Sequence, residues 1–201
     1  MTTKTKYIVK IAILAALATI IMYIEAPIPF MPAFLKLDFS EIIVLLGAFS
    51  LGPVAGILIE LIKNLVHVTS TITGGVGELA NFIVGCAFVV PAALIYKKNK
   101  CIKTALTGLL VGSVSMVAVA TLMNYFVLIP LYIEIFAKEY NITAEQSLQS
   151  IVDLGTKNNK GIVDLRTLIL YGIIPFNAIK TIVISILTFF SYKKVSPLLH
   201  K

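Results

Sequence analysis

The chain has 201 residues, 58% of them hydrophobic and only 13% charged, with a formal net charge of +7. A soluble globular domain carries roughly a quarter charged residues, so this composition excludes one and points to a polytopic helical membrane protein, a single bundle using the whole chain. Nor does the positive charge indicate nucleic acid. Lys4, Lys6 and Lys10, then Lys97, Lys98, Lys100 and Lys103, then Lys193, Lys194 and Lys201 form three clusters with no acid among them and no binding module around them, which is the distribution of cytoplasmic loops.

In chain order, residues 8–24 form the first expected span. The first 24 residues resemble a signal peptide in charge order, but no small-x-small cleavage site precedes Glu25, and a retained span fits better. Ala12, Ala15, Ala16 and Thr19 make a stripe of small residues along it, centred on Ala12-x-x-x-Ala16, a pattern that lets a second helix approach closely, inside or outside the bundle. Residues 25–41 are an outer loop in which Pro27, Pro29 and Pro32 break regular structure. Residues 42–68 are then apolar for 27 positions, with Gly52-Pro53 in the middle, as one kinked helix or two short ones.

Parity decides between them. The later spans are 76–96, 102–131 and 168–192. A single helix over 42–68 makes five crossings and puts Lys97 to Lys103 on the opposite side from the first cluster. Splitting into 42–51 and 53–68 makes six and puts all ten clustered lysines inside. The outer loops 25–41, 69–75 and 132–167 then hold eight acids against five cations. The expectation is an all-α membrane protein of six transmembrane helices with both termini cytoplasmic, a single integral-membrane domain over 1–201. Two of these helices fall short of the roughly 20 residues that a crossing takes. They must be tucked into the bundle, tilted, or completed by the preceding loop, which makes that loop a wall or lid of a pocket. Within the long outer segment, Thr143 ahead of Gln146 reads as the cap of a short surface helix over 142–151, and residues 158–161 as a turn.

Catalytic motifs do not appear. No G-x-x-x-x-G-K-[ST] offers an ATP site, and no nucleophile or paired-carboxylate arrangement suggests hydrolysis. Cys86 and Cys101 have no disulfide or metal spacing, and His67 and His200 lack ligand-spaced partners. Polar residues inside the spans are therefore the informative ones. Glu60, Lys63, Asn64 and His67 form one helical stripe, in which Glu60 and Lys63 can neutralise one another and tie helices together. Asn124 lies roughly 31 Å up its span from Lys103, near the outer side. Asn177 and Lys180 project from one face of the last span with no acid at helical spacing. An ammonium there costs several kcal/mol, by rough estimate, unless it meets a cavity or a partner. With the glycine-rich turn at Gly74 and Glu78, these groups can converge on a pocket open to the outside. A small membrane enzyme using Glu60/Lys63 or Glu78 as acid–base groups, or a purely structural subunit, are the other readings.

Four segments carry a resemblance: residues 30–41 (FMPAFLKLDFSE), 46–56 (LGAFSLGPVAG), 74–81 (GGVGELAN) and 175–180 (PFNAIK). Together they resemble the riboflavin-specific S components of energy-coupling factor (ECF) transporters, over roughly residues 8–192. The resemblance implies a six-helix, multi-pass subunit of a prokaryotic cell membrane that captures riboflavin at the outer face and delivers it inward. It is not an enzyme and carries no cofactor; ATP belongs to two partner ATPase subunits, joined through a transmembrane coupling protein. Ala33, Phe34, Leu35 and Lys36 of the loop and Gly74 of the turn would contact the flavin, and Asn124, Asn177 and Lys180 would hold its isoalloxazine edge. Glu78 would meet ribityl hydroxyls, and Ala12 and Ala16 would dock on the coupling protein. A different vitamin or a flavin nucleotide (FMN) is the alternative ligand; a phosphate would want further outer cations, of which Lys36 is the obvious one.

Overall fold

Without water to bond its amides, a chain in lipid satisfies its backbone internally, and helices do so within one segment. The structure, a computed structural model, is accordingly almost all helical; it describes residues 2–32, 34–71 and 74–199, and side chains up to Tyr192. The first helix, α1 (Thr3–Met22), is capped by the Thr2 hydroxyl, which accepts from the Thr5 amide at 3.3 Å. It buries Ile11, Ala15, Ala18 and Met22, a four-three-four spacing that defines one inward face.

Next come two short strands, β1 (Glu25–Pro27) and β2 (Lys36–Asp38), paired as a ribbon. Regular structure was not expected in this proline-rich loop. Pro29 and Pro32 fall in the connection between the strands and Pro27 ends an exposed strand, positions where a missing amide breaks no ladder.

The helices α2 (Ser40–Leu51) and α3 (Pro53–His67) are separate, broken at Gly52. Gly52 has φ +99°, a conformation a side chain disfavours, and Pro53 opens α3 where its absent N–H would have no intrahelical partner. A 3-10 turn (Val68–Ser70) follows, then α4 (Val76–Lys98) and α5 (Ile102–Met123). The last two touch through bare backbone: a Cβ on Gly108 would lie 2.6 Å from the Ala92 carbonyl oxygen, and one on Gly112 would overlap the Phe88 carbonyl. Gly108-x-x-x-Gly112 is thus the pattern that brings these helices together.

The fifth span does not end at Leu131 as expected. A π-turn (Asn124–Leu128) carries it into α6 (Ile129–Tyr140). There the helix stops being apolar all round and becomes amphipathic. Ile133 and Phe136 pack inward while Glu134, Lys138 and Glu139 stay exposed, with Glu134 and Lys138 at the favourable i, i+4 spacing. Next, α7 (Ala144–Thr156) starts with the capping box formed by Thr143 and Gln146. One turn of helix, α8 (Leu165–Leu168), capped by Asp164, leads through a second π-turn (Ile169–Ile173) into α9 (Ile174–Leu199).

Among the described residues, five helical segments are long and apolar enough to cross a membrane: Thr3–Met22, Pro53–Ser70, Val76–Lys98, Ile102–Tyr140 and Leu165–Tyr192. Ser40–Leu51 is a shorter apolar helix. The contacts divide the chain into two compact units. One comprises Met1–Glu25, Asp38–Met116 and Thr181–Lys201; the other comprises Ala26–Leu37 and Val117–Lys180. The second has its own apolar core of Ile129, Ile151, Val152, Ile162, Leu168, Ile169 and Ile173, against which Leu35 and Phe136 pack.

The α4–α5 contact makes a direct prediction. Gly112→Val, which forces a branched side chain against the Phe88 backbone, is expected to destabilise the protein by about 1–3 kcal/mol. Thermal unfolding in detergent, compared with Val111→Ala on the exposed side of α5, measures it.

Candidate binding site

Asn124, Asn177 and Lys180 all belong to the second unit; Asn124 opens one of its π-turns, and Asn177 sits on α9 one turn beyond the other. Asn124 opens the first π-turn and its Nδ2 donates to the Ala120 carbonyl at 2.8 Å; the Asn177 Nδ2 donates to the carbonyl of Ile173, the last residue of the other, at 2.9 Å. These bonds to the carbonyl four residues back pin each amide plane against its own helix. The two π-turns lie against one another. A π-turn widens the helix locally, and such insertions recur at functional sites. Asn177 (6% exposed) and Lys180 (5%) are buried at i and i+3 on α9, so an amide and an ammonium leave the helix from one face.

In the same unit lies the loop between the strands. Phe30 is highly exposed and held at φ +65°, which non-glycine residues rarely adopt. The loop is tied down by the Asn158 side chain, whose Nδ2 donates to the Met31 carbonyl at 2.7 Å, and by Pro32 packing on Gly172. Residues 27–30 together with Lys157 and Asn158 line an open hollow of about 420 Å³. Phe34 is exposed, Leu35 half-buried against the core, and Lys36 exposed on β2. Ala33 lies outside the described residues.

Gly74 and Glu78 belong to the other unit. Gly74 and Gly75 turn the chain at φ +62° and +90° into α4. Glu78 is buried, and its Oε1 lies 2.9 Å from the His67 Nδ1. The His67 ring packs beside Tyr23, whose hydroxyl bonds the Ser70 hydroxyl at 3.0 Å. The ends of α1 and α3 and the start of α4 are thereby joined.

Below this junction runs the polar stripe of α3. Lys63 is 0% exposed and donates to the Ser40 Oγ and the Glu41 Oε1, both at 2.8 Å, with the Glu60 Oε1 at 3.1 Å. Asp38 Oδ1 accepts from the Ser40 amide at 3.0 Å and from its hydroxyl, fixing the start of α2. Asn64 donates to the Glu60 carbonyl and to its Oε2, and Asn81 on α4 donates to the Asn64 Oδ1 at 3.0 Å. The stripe thus ties helices together, as its spacing suggests, but its partner for Lys63 is not only Glu60. Glu41, counted by sequence among the acids of an outer loop, lies fully buried in the first turn of α2. Gly85 is the other missed member: a Cβ there would lie 2.8 Å from the Glu60 carboxylate, so α4 presents bare backbone to that side chain. The sequence signal for Glu41 was the lysine itself, which needs a counter-charge from another helix when buried.

Comparison with known proteins identifies the family of the chain. Residues 6–192 match the family model described as ECF transporter, substrate-specific component. The riboflavin transporter RibU of Staphylococcus aureus (strain TCH60) is 38% identical over 198 residues, covering 98% of this chain and 94% of that protein. The riboflavin transporter FmnP of Bacillus subtilis (strain 168) is 31% identical over 96% of this chain and 94% of its own. A solved structure of the S component of a bacterial ECF transporter superposes with a TM-score of 0.76 at 35% identity, covering 99% of this chain and all of that one.

The polar knot around Lys63 predicts a large response to its removal. Lys63→Met leaves two buried carboxyl groups without their cation and is expected to cost about 3–5 kcal/mol. Unfolding in mixed micelles measures this; a loss below about 1 kcal/mol contradicts the assigned pairing.

Proposed function

Because the chain belongs to the family of ECF transporter substrate-specific components, we propose that it is the riboflavin-binding subunit of such a transporter. The observation that carries this reading is the whole-chain similarity to RibU and FmnP, both riboflavin transporters. The buried amide–ammonium pair on α9 gives it a chemistry. The pyrimidine-like edge of the isoalloxazine alternates carbonyl acceptors with an N–H donor. Asparagine amides offer both a donor and an acceptor, and a lysine offers donors only. Asn124 and Asn177 therefore hold this edge, and Lys180 donates to one of its oxygens. Phe34 and Leu35 cover a ring face, and Ala33 and Lys36 complete the loop contact.

The whole chain then works as one membrane-embedded binding subunit with six crossings. Helix α2 completes a crossing inside the bundle, and the three lysine clusters set both termini on the cytoplasmic side of the cell membrane. Riboflavin enters from the outer face and leaves inward, driven by ATP bound on two separate ATPase subunits. Contact with the transmembrane coupling protein is made through Ala12 and Ala16. On α1 these two alanines are exposed while Ala15 and Ala18 are buried, so the small residues form one face for the bundle and one for a partner.

Two outcomes are expected. Lys180→Ala removes a charge-assisted hydrogen bond of about 1.5–3 kcal/mol and weakens riboflavin binding roughly 10- to 100-fold in a fluorescence-quenching titration. An unchanged affinity removes Lys180 from the site. Ala16→Trp keeps riboflavin binding but abolishes co-purification with the coupling protein and uptake of riboflavin by cells; intact assembly removes the docking assignment.

A further inference from the structure

We propose that the basic end of the larger unit holds an anionic phospholipid in a site separate from the riboflavin site. The last turn of α2, the first turn of α3, the start of α1 and the last turn of α4 enclose a cavity of about 250 Å³. Its bed is apolar and aromatic, with Phe49, Val54, Tyr96 and Tyr7 among its walls, and Lys97 and Lys100 stand at its rim, both exposed. Tyr96 is held in place by a hydroxyl–hydroxyl hydrogen bond to Tyr192 and by its ring contact with Phe49 at 4.6 Å. The break at Gly52 opens this space, since a continuous helix there would run its own side chains through it.

Charge identifies the ligand class. Residues 1–24, 42–59 and 79–133 contain no Asp or Glu, and every residue lining the cavity comes from these stretches. Lys4 and Lys10, three positions before and after Tyr7, add cations on the same side of α1. The site therefore presents several ammonium groups with no carboxylate among the residues that line it, where an apolar span gives way to lysines. That is the level of lipid phosphates, and basic pockets between transmembrane helices suit anionic headgroups. The volume points the same way. It is smaller than the roughly 300–1,000 Å³ of pockets that enclose a whole small molecule. It accepts the phosphate and glycerol of an amphiphile while the acyl chains stay outside. A track for them begins at the cavity wall: Val54, Leu58, Leu61 and Leu65, at helical spacing on α3, are all exposed. Tyr7 lies nine positions before Ala16, about 180° away around α1, so the lipid and a coupling partner on Ala12 and Ala16 occupy opposite faces.

The test is native mass spectrometry of the full chain titrated with phosphatidylglycerol and, in parallel, phosphatidylcholine. Lys97→Gln/Lys100→Gln is compared with Lys98→Gln/Lys103→Gln, which removes the same charge from lysines outside the cavity. Val54→Trp fills the cavity with both rim lysines intact. Riboflavin binding reports that each variant is folded. At about 1 kcal/mol per lysine near an anionic headgroup, the rim variant is expected to lose at least about tenfold in phosphatidylglycerol affinity. Val54→Trp should lose affinity too, and the control variant should change less than about twofold. Equal loss in rim and control variants, no effect of Val54→Trp, or displacement of the lipid by inorganic phosphate in tenfold excess would each overturn the proposal.

Discussion

An ammonium with no exposure must find its counter-charges in the protein, and Lys63 finds them on two elements. Moving ions of this size out of water costs several kcal/mol each even after relaxation, by rough estimate, so the arrangement persists only if every group is met. Glu60 lies one turn away on α3, but Glu41 is 22 residues distant and reaches Lys63 only because the chain reverses at Gly52. The glycine break, the short α2 helix and the buried ion pair are therefore one device. The break folds α2 back along α3, and the pair fixes the register. Asn64 and Asn81 extend it to α4, where Gly85 leaves room for the Glu60 carboxylate.

The second unit is organised differently. Its core is aliphatic, and two side-chain amides, one at the first π-turn and one a turn beyond the second, are pinned to backbone carbonyls rather than held in an ionic knot. Each π-turn adds a residue to a helix that is otherwise regular, shifting the phase of the helical turns beyond it. Asn124 stands at one shift and Asn177 one turn beyond the other, and both are oriented by their own helices. The larger unit is thus held together by charge pairing, whereas the smaller one carries pinned amides with Lys180 beside them. This suits a subunit whose proposed task is to hold a flat, polar-edged vitamin while docking elsewhere.

Much of this was legible in residues whose effect is local. Gly52-Pro53 marked where a helix could break, since one residue tolerates positive φ and the next suits a helix start, and the parity of the lysine clusters chose two helices over one kinked helix. Thr143 and Gln146 marked the start of α7 because a capping box is complete within four residues. Asn177 and Lys180 stood out because buried polar groups in an apolar span need a reason. What escaped depended on distant partners or a change of helical phase. Glu41 looked like a loop acid until α2 folded against α3. The fifth span was expected to end at Leu131, where hydropathy falls, yet the helix continues to Tyr140 as an amphipathic one. Gly108 and Gly112 carried the same small-residue signal as Ala12 and Ala16, but their partner surface, the backbone of α4, becomes visible only in the fold.

The central claim is that the polar groups of α9 and the π-turns serve riboflavin. The direct measurement is to purify the chain in detergent from cells grown with riboflavin, extract the bound small molecule and identify it by mass. The account predicts free riboflavin, in about equimolar amount, co-eluting with the protein on gel filtration. A colourless protein that also fails to quench added riboflavin fluorescence would contradict it.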